Sequence, residues 1–475
     1  MRTLAIVLCL ILPAPAAAQQ ADRSRPPALG PAPPVTPPAI QRRALSNGLR
    51  VWIVEHHEVP VVQVDLIVRS GSAADPSGKF GLASLTAAML DEGAGARDAL
   101  QLADAIDHLG ASLSAGISVD ASSVRLHVPV ARLNDALPIM ADVALRPTFP
   151  QRELDRLRNE RLTDLQQGRD DPGEIVRAAF PLVVFGPQHR YGTGGVGTTV
   201  TLKSFTADDL RAFHAAHFRP SNGVLIVVGD VTADAVLPLF EQAFGSWASA
   251  GAASTAAAVT APPQLRARRV VIVDKPESAQ SQVRIGWVGA PRSSPDFYIL
   301  QVMNTILGGS FTSRLNQNLR EQHGYAYGAG SGFDMRRVSG LFFAGAGVQT
   351  DKTAESLTEF FNELNGMLKP IPAEEVTKAK NYLALSYPRD FETTRDIAAQ
   401  LATSFVYDLP EDFFNTYVQK IQAVTPEQVQ AAAKTYVQPG KFVVVVVGDR
   451  KAIEAPVKAL NLGPVTFMRV EEALR

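Results

Sequence analysis

Eight histidines are the first residues to weigh for metal or acid–base chemistry, since imidazole titrates near neutral pH and is the commonest metal ligand. His214 and His217 lie three apart, a spacing that puts both on one face of a helix. No third ligand stands near them in sequence, so they read as packed or solvent-facing histidines. His56-His57 and His323 are unpaired in the same sense. Gly192-Thr-Gly194-Gly-Val-Gly197 spells G-x-G-x-x-G, yet it follows His189-Arg190-Tyr191 rather than a strand, which argues against a nucleotide site. No G-x-S-x-G elbow occurs, so serine-hydrolase chemistry has no local support. The most specific stretch is Gly308-Gly309-Ser310-Phe311-Thr312-Ser313-Arg314-Leu315, followed by Leu319-Arg320-Glu321-Gln322-His323-Gly324-Tyr325-Ala326-Tyr327, with Arg320 and Tyr327 seven apart.

The elements that must position such residues emerge when the chain is compared with itself. Thr206-Ala-Asp-Asp-Leu210 opens a helical pattern that leads to Pro220, an apolar run Val224 to Val228, and Gly229-Asp230. Thr425-Pro-Glu-Gln-Val429 does the same through Pro439, Phe442 to Val447, and Gly448-Asp449. Threonine, proline and glycine each recur 219 positions on, across a helix cap, a turn and a strand end. Glu153 to Ala178 and Glu374 to Ala399 read as two long helices, carrying Arg169-Asp170-Asp171 and Arg389-Asp390. Strand-like text at Leu49 to Val54, Val61 to Val68, Arg269 to Val273 and Val283 to Val288 opens each copy, and helices such as Leu100 to Leu109 follow. Grouped strands and helices of this kind give α+β: two homologous tandem domains, 41–247 and 265–475, each a mainly antiparallel sheet flanked by helices. The Ala/Ser/Thr/Gly/Pro-rich stretch 248–264 reads as the linker between them.

Arg2, the apolar run Leu4 to Leu12 and Ala16-Ala17-Ala18 form the three-part pattern of a signal peptide over 1–18, so the chain is expected to be exported and periplasmic. Seven prolines in 19–40 make an extended spacer. Cys9, the only cysteine, lies inside the predicted signal, which leaves no disulfide and no thiolate ligand in the remainder. A formal charge of −1 offers no electrostatic case for nucleic acid.

Gly78-Lys-Phe-Gly81-Leu82-Ala83-Ser84-Leu85-Thr86-Ala87-Ala88-Met89-Leu90-Asp91-Glu92-Gly93 resembles the start of a pitrilysin/insulinase-type (inverzincin) peptidase domain, where the same opening runs into H-x-x-E-H. In that motif two histidines one turn apart bind zinc and the glutamate acts as general base. Ser84, Ala87 and Ala88 stand at those positions here, with neither imidazole nor carboxylate to offer. The family's third ligand falls within Asn159 to Asp164, where Asp164 is the nearest match and reads as the solvated face of a charged helix. The second copy's matching helix, Phe297 to Leu307, has no histidine, glutamate or cysteine. The Arg320/Tyr327 segment is similar to the family's C-terminal substrate-binding signature, in which that pair lines the active chamber and donates to the substrate carbonyl or oxyanion. The glycine-rich 192–197 stretch is similar to the family's H-x-Y-G turn near the chamber. The resemblance implies a non-metal subunit with no cofactor of its own, like those of heterodimeric bacterial members and the mitochondrial processing peptidase. It also implies a homologous H-x-x-E-H partner holding the zinc, with unfolded peptide as substrate. The alternative it leaves open is a non-catalytic scaffold or peptide-binding protein with the same fold.

Overall fold

The computed structural model describes residues 36–248 and 259–474; segment 1–18, most of the spacer 19–40 and most of the linker 248–264 lie outside them. Two six-stranded mixed sheets form the frame. The first contains β1 (Gln41–Ala44), β2 (Arg50–Glu55), β3 (Val61–Val68), β4 (Ser112–Ile117), β5 (Ser122–Pro129) and β6 (Gly223–Gly229), in the spatial order β1-β2-β6-β3-β5-β4. The second contains β7 (Arg269–Asp274), β8 (Gln280–Val288), β9 (Ala326–Phe333), β10 (Leu341–Gln349), β11 (Val443–Gly448) and β12 (Val465–Met468), in the order β9-β10-β8-β11-β7-β12. Reversed, the second order repeats the first: β7, β11, β8, β10 and β9 take the places of β2, β6, β3, β5 and β4. Most neighbours are antiparallel, and each sheet has a parallel pair at the matching place, β2 with β6 and β7 with β11.

The 219-residue repeat is physical down to the caps. Helices 207–217 and 426–436 are each opened by a threonine whose hydroxyl accepts from the third residue of the helix, Thr206 from Asp209 and Thr425 from Gln428, with the reciprocal side-chain bond completing a capping box.

The two long helices read from sequence are each broken. α1 (Gln151–Gln167) stops at a turn over Gly168–Asp170, and α2 (Pro172–Phe185) starts anew with Asp171 as cap and Pro172 at its first position. The second copy breaks at Tyr387–Phe391, between helix 373–386 and α3 (Thr394–Val406). Each break lets the downstream helix leave its own half. α2 lies on β8 and β11 of the second sheet, with Val176, Ala179, Phe180 and Val183 buried against Val271, Val443 and Val445. α3 lies on β3 and β6 of the first, with Ile397, Leu401 and Phe405 against Val224, Ile226 and Val228.

This exchange explains why β6 and β11 read as unbroken apolar runs. On β6, Leu225 and Val227 face the first half's own helices, whereas Val224, Ile226 and Val228 face α3. On β11, Val444 and Val446 face inward, and Val443, Val445 and Val447 face α2. A strand covered on both faces must be apolar at every position. Each valine so buried contributes about 1.5–3 kcal/mol, so the exchanged helices hold the halves together as one core. Among the described residues no helix is long and apolar enough to cross a membrane.

Candidate functional site

Ser84, Ala87 and Ala88 lie on a short helix, Leu82–Ala88, whose residues are almost wholly buried. Two features hold it in place. Asp75 accepts from the amides of Gly81 and Ala83, both at 2.7 Å, satisfying donors at the helix start. Burial pushes the Asp75 carboxyl up to about 7, against those two hydrogen bonds and the nearby Arg190 charge. The glycine-rich loop 192–197 then closes over the same turn. A Cβ on Gly81 would meet the Val196 carbonyl at 2.4 Å, and one on Gly197 the Phe80 carbonyl at 2.5 Å, with φ +96 and +91 respectively. Glycine at both positions follows from this backbone contact and not from phosphate binding.

Side-chain donors for zinc are missing from this helix. The family's third-ligand helix, α1, leaves Asp164 exposed and sends Arg161 instead, whose Nη2 donates to the Ser84 carbonyl at 3.0 Å. The second guanidinium nitrogen, Nη1, is buried without a hydrogen-bond partner, and burial depresses the Arg161 pKa despite Glu160 and Asp164 nearby. Zinc does not fit these residues: hydroxyl, methyl and guanidinium supply no set of lone pairs, and a fixed positive charge opposes a divalent cation. Among the described residues no three or more His, Cys, Asp or Glu side chains are placed to hold a metal ion.

Arg320 and Tyr327 are brought together in the second half. Gly308 leads into their segment, because a Cβ there would stand 2.3 Å from the Ser331 amide of β9. Arg320 sits in a π-helical stretch, Gln317–Gln322, an irregularity that recurs at functional sites. Tyr327 sits on β9, the edge of the sheet, where pairing with β10 jumps from Ala326–Val348 to Ala329–Ala346. Tyr327 and Gly328 thus face one residue across the ladder, a bulge that re-aims the side chain. Asn316 braces the bulge: its Oδ1 accepts from the Ala329 amide at 3.1 Å, and its Nδ2 donates to the Phe311 carbonyl at 2.6 Å. The Arg320 guanidinium lies 4.4 Å from the Phe311 ring centre and 5.4 Å from that of Tyr327. Tyr327 is 90% exposed and Phe311 62%, and the phenol has no hydrogen-bond partner among the described residues. Arg320 is half-buried and pairs with Glu321 at 3.4 Å, so the cluster offers an exposed phenolic donor beside a carboxylate-paired cation.

These two places do not meet within the chain. Helix 82–88 packs on helix 207–217 and β4, while the Arg320 segment packs on β9 and helix 353–366.

Neighbouring groups hold most of the histidines singled out above, while the Nδ1 of His56 is buried without a hydrogen-bond partner. His214 meets the Ala144 carbonyl at 2.9 Å and stacks on Phe218, and His217 is buried against Phe213. Burial lowers the pKa of both. His57 is exposed and meets Asp230 at 2.7 Å, which raises its pKa, and His323 stacks on Tyr325.

Sequence reasoning passed over one feature. A cleft of about 620 Å³ opens between the halves, lined by Ser84 and the 192–197 loop on one side and by Arg284, Asp334 and Arg336 on the other. No periodicity announces it, since its walls come from separate segments within 72–119, 176–196 and 284–343.

With the geometry in place, comparison with known proteins is informative. The family described as Insulinase (Peptidase family M16) matches residues 50–182, and the one described as Peptidase M16 inactive domain matches 204–383. An uncharacterized zinc protease of Bacillus subtilis is 25% identical over 397 residues, 83% of this chain and 95% of that protein. One from Mycobacterium leprae is 28% identical over 408 residues, 83% of this chain and 88% of its own. Among solved structures, a peptidase M16 inactive domain from Pseudomonas fluorescens superposes with TM-score 0.81 at 27% identity, covering 86% of this chain and 98% of its own. A protease from Helicobacter pylori shares the fold at TM-score 0.80 and 21% identity, covering 86% and 99%.

Proposed function

Because this chain belongs to the insulinase (M16) peptidase family, and its first domain has lost every metal-binding group of the motif, we propose that it is the non-metal subunit of a heterodimeric zinc peptidase. A homologous H-x-x-E-H partner supplies the zinc, its activated water and the general base. This chain supplies Arg320 and Tyr327, which hold the scissile carbonyl and its developing oxyanion, together with half of the chamber wall for unfolded peptide. The pair works in a periplasmic compartment reached by the 1–18 signal.

One observation carries the reading: the Tyr327 phenol is 90% exposed on a bulged sheet edge braced by Asn316, with no hydrogen-bond partner among the described residues, beside the Arg320 guanidinium, which pairs with its neighbour Glu321 at 3.4 Å. A braced phenol without a partner, beside a cation held by one half-exposed carboxylate, makes chemical sense when another polypeptide brings the reacting carbonyl to it. The test is to co-express the chain with an H-x-x-E-H homologue from the same genome and assay peptide hydrolysis. The account expects a stable pair that cleaves peptides only when both chains are present. A partner that is fully active alone, unaffected by this chain, would leave the scaffold alternative.

A further inference from the structure

The cleft between the halves holds more positive charge than its own carboxylates can balance. Four arginines line it, Arg177, Arg190, Arg284 and Arg336, against the single carboxylate of Asp334. Arg336 pairs with Asp334 at 2.5 Å, and Arg177 pairs with Glu174 outside the cleft. Arg190 and Arg284 have no carboxylate within 4 Å among the described residues, and Asp75, the acid whose charge reaches Arg190, is committed to the Gly81 and Ala83 amides. Three of the guanidiniums lie over rings: Arg190 over Phe80 at 5.2 Å, Arg284 over Phe343 at 4.9 Å and Arg336 over Tyr191 at 4.5 Å. A guanidinium stacked by its face keeps its N–H edge for an in-plane, two-pronged acceptor, the geometry of a carboxylate.

Two further groups are buried without partners. The Nε of Arg336 has no acceptor, and the Tyr191 hydroxyl, on a residue 2% exposed, makes no well-formed hydrogen bond, with the Val338 backbone beside it and the buried Asp120 carboxylate near both it and Arg336. Burial and the neighbouring Arg177 charge both depress the Arg284 pKa, so the site carries electrostatic strain that an anion would relieve.

We propose that this cleft binds the carboxylate of a peptide, so that a zinc-less domain has become an acceptor for acidic or C-terminal groups. The ligand chemistry is a carboxylate on an extended peptide, from a glutamate or aspartate side chain or from the chain terminus. The loop Thr193–Val196 along one wall supplies little bulk, leaving room for a backbone between the halves. The inference stands apart from the pairing with a zinc subunit, because every residue it uses lies in this chain.

The test uses the purified chain without any partner, by calorimetric titration with three short peptides of one sequence. The first carries two adjacent glutamates and a C-terminal amide, the second has glutamines and a free C-terminus, and the third has glutamines and an amide. The first or the second binds and the third does not, and which of the two binds identifies the source of the carboxylate. Arg190→Gln and Arg284→Gln each weaken binding at least about tenfold, and higher salt weakens it in wild type. Ser72→Asp, which plants an anion in the cleft while leaving every arginine, abolishes it. Equal binding of the third peptide, wild-type affinity in all three variants, or inorganic phosphate competing as well as the best peptide would each overturn the proposal.

Discussion

Tyr327→Phe separates a chemical role for the phenol from a structural one. The substitution deletes one oxygen from a side chain that is 90% exposed and whose hydroxyl bonds nothing among the described residues. Its ring can still stack beside Arg320 at 5.4 Å. Folding stability should therefore stay within about 0.5 kcal/mol, as for surface changes that break no contact. Removing one donor to a developing oxyanion raises the barrier by about 2.7–4 kcal/mol, or roughly 10²–10³ in kcat. Urea unfolding of the single chain and steady-state kinetics of the assembled pair measure the two quantities. A variant as stable as wild type with kcat down by that factor is the expected result. Unchanged turnover in a properly assembled pair would refute the donor role. A large loss of stability would show that the hydroxyl holds the fold instead of the substrate.

Three other predictions follow from the packing. Phe405→Ala empties a site 1% exposed, where the ring meets Trp52 at 5.9 Å and the Arg69 guanidinium at 4.2 Å across the halves; it should cost about 3–5 kcal/mol in denaturant unfolding, and a loss under about 1 kcal/mol would contradict the exchanged-helix core. Arg161→Met gives up one hydrogen bond to Ser84 but also a buried, half-satisfied cation, so stability should hold or rise by up to about 2 kcal/mol; a clear destabilisation would count against that reading. His214 has a pKa below its ordinary 6.5 in the fold because burial penalises the charged ring, so the unfolded chain takes up a proton that the folded one refuses. The stability tied to it is complete above about pH 6.5 and drains away below it, by at most about 1.4 kcal/mol per pH unit. The stability difference between wild type and His214→Phe should accordingly shift toward the variant as pH falls from about 7.5 to 5.5, and a pH-independent difference would show the ring titrating normally.

What could be read from the chain depended on how local each signal is. The repeat was legible because Thr206 and Thr425, Pro220 and Pro439, and Gly229 and Gly448 each obey a short-range rule for caps, turns or strand ends. The zinc-motif positions were legible only through the resemblance of Gly78 to Gly93 to the family's domain opening, since Ser84, Ala87 and Ala88 carry no ligand chemistry of their own. The breaks after Gln167 and Ser386 were overlooked although Asp171-Pro172 spells a cap followed by a first-turn proline, because apolar spacing runs on across the break. The exchange of α2 and α3 left only an indirect trace: β6 and β11 are apolar at every position, which shows two covered faces but not what covers them. Arg161, three residues before Asp164 among the charges of α1, carried no signal of its own, and only the fold turns it toward the Ser84 carbonyl. The arginine cleft had no signature, since Arg190 and Arg284 become neighbours only through the packing of the halves.

The claim beneath the whole account is that this polypeptide holds no catalytic metal and works only with one that does. Metal analysis of the purified chain, of its H-x-x-E-H partner and of their complex, run beside a peptide-hydrolysis assay with and without chelator, tests it most directly. The account predicts no zinc and no hydrolysis for this chain alone, and one zinc with chelator-sensitive cleavage for the complex. Stoichiometric zinc and peptide cleavage in the isolated chain would contradict it.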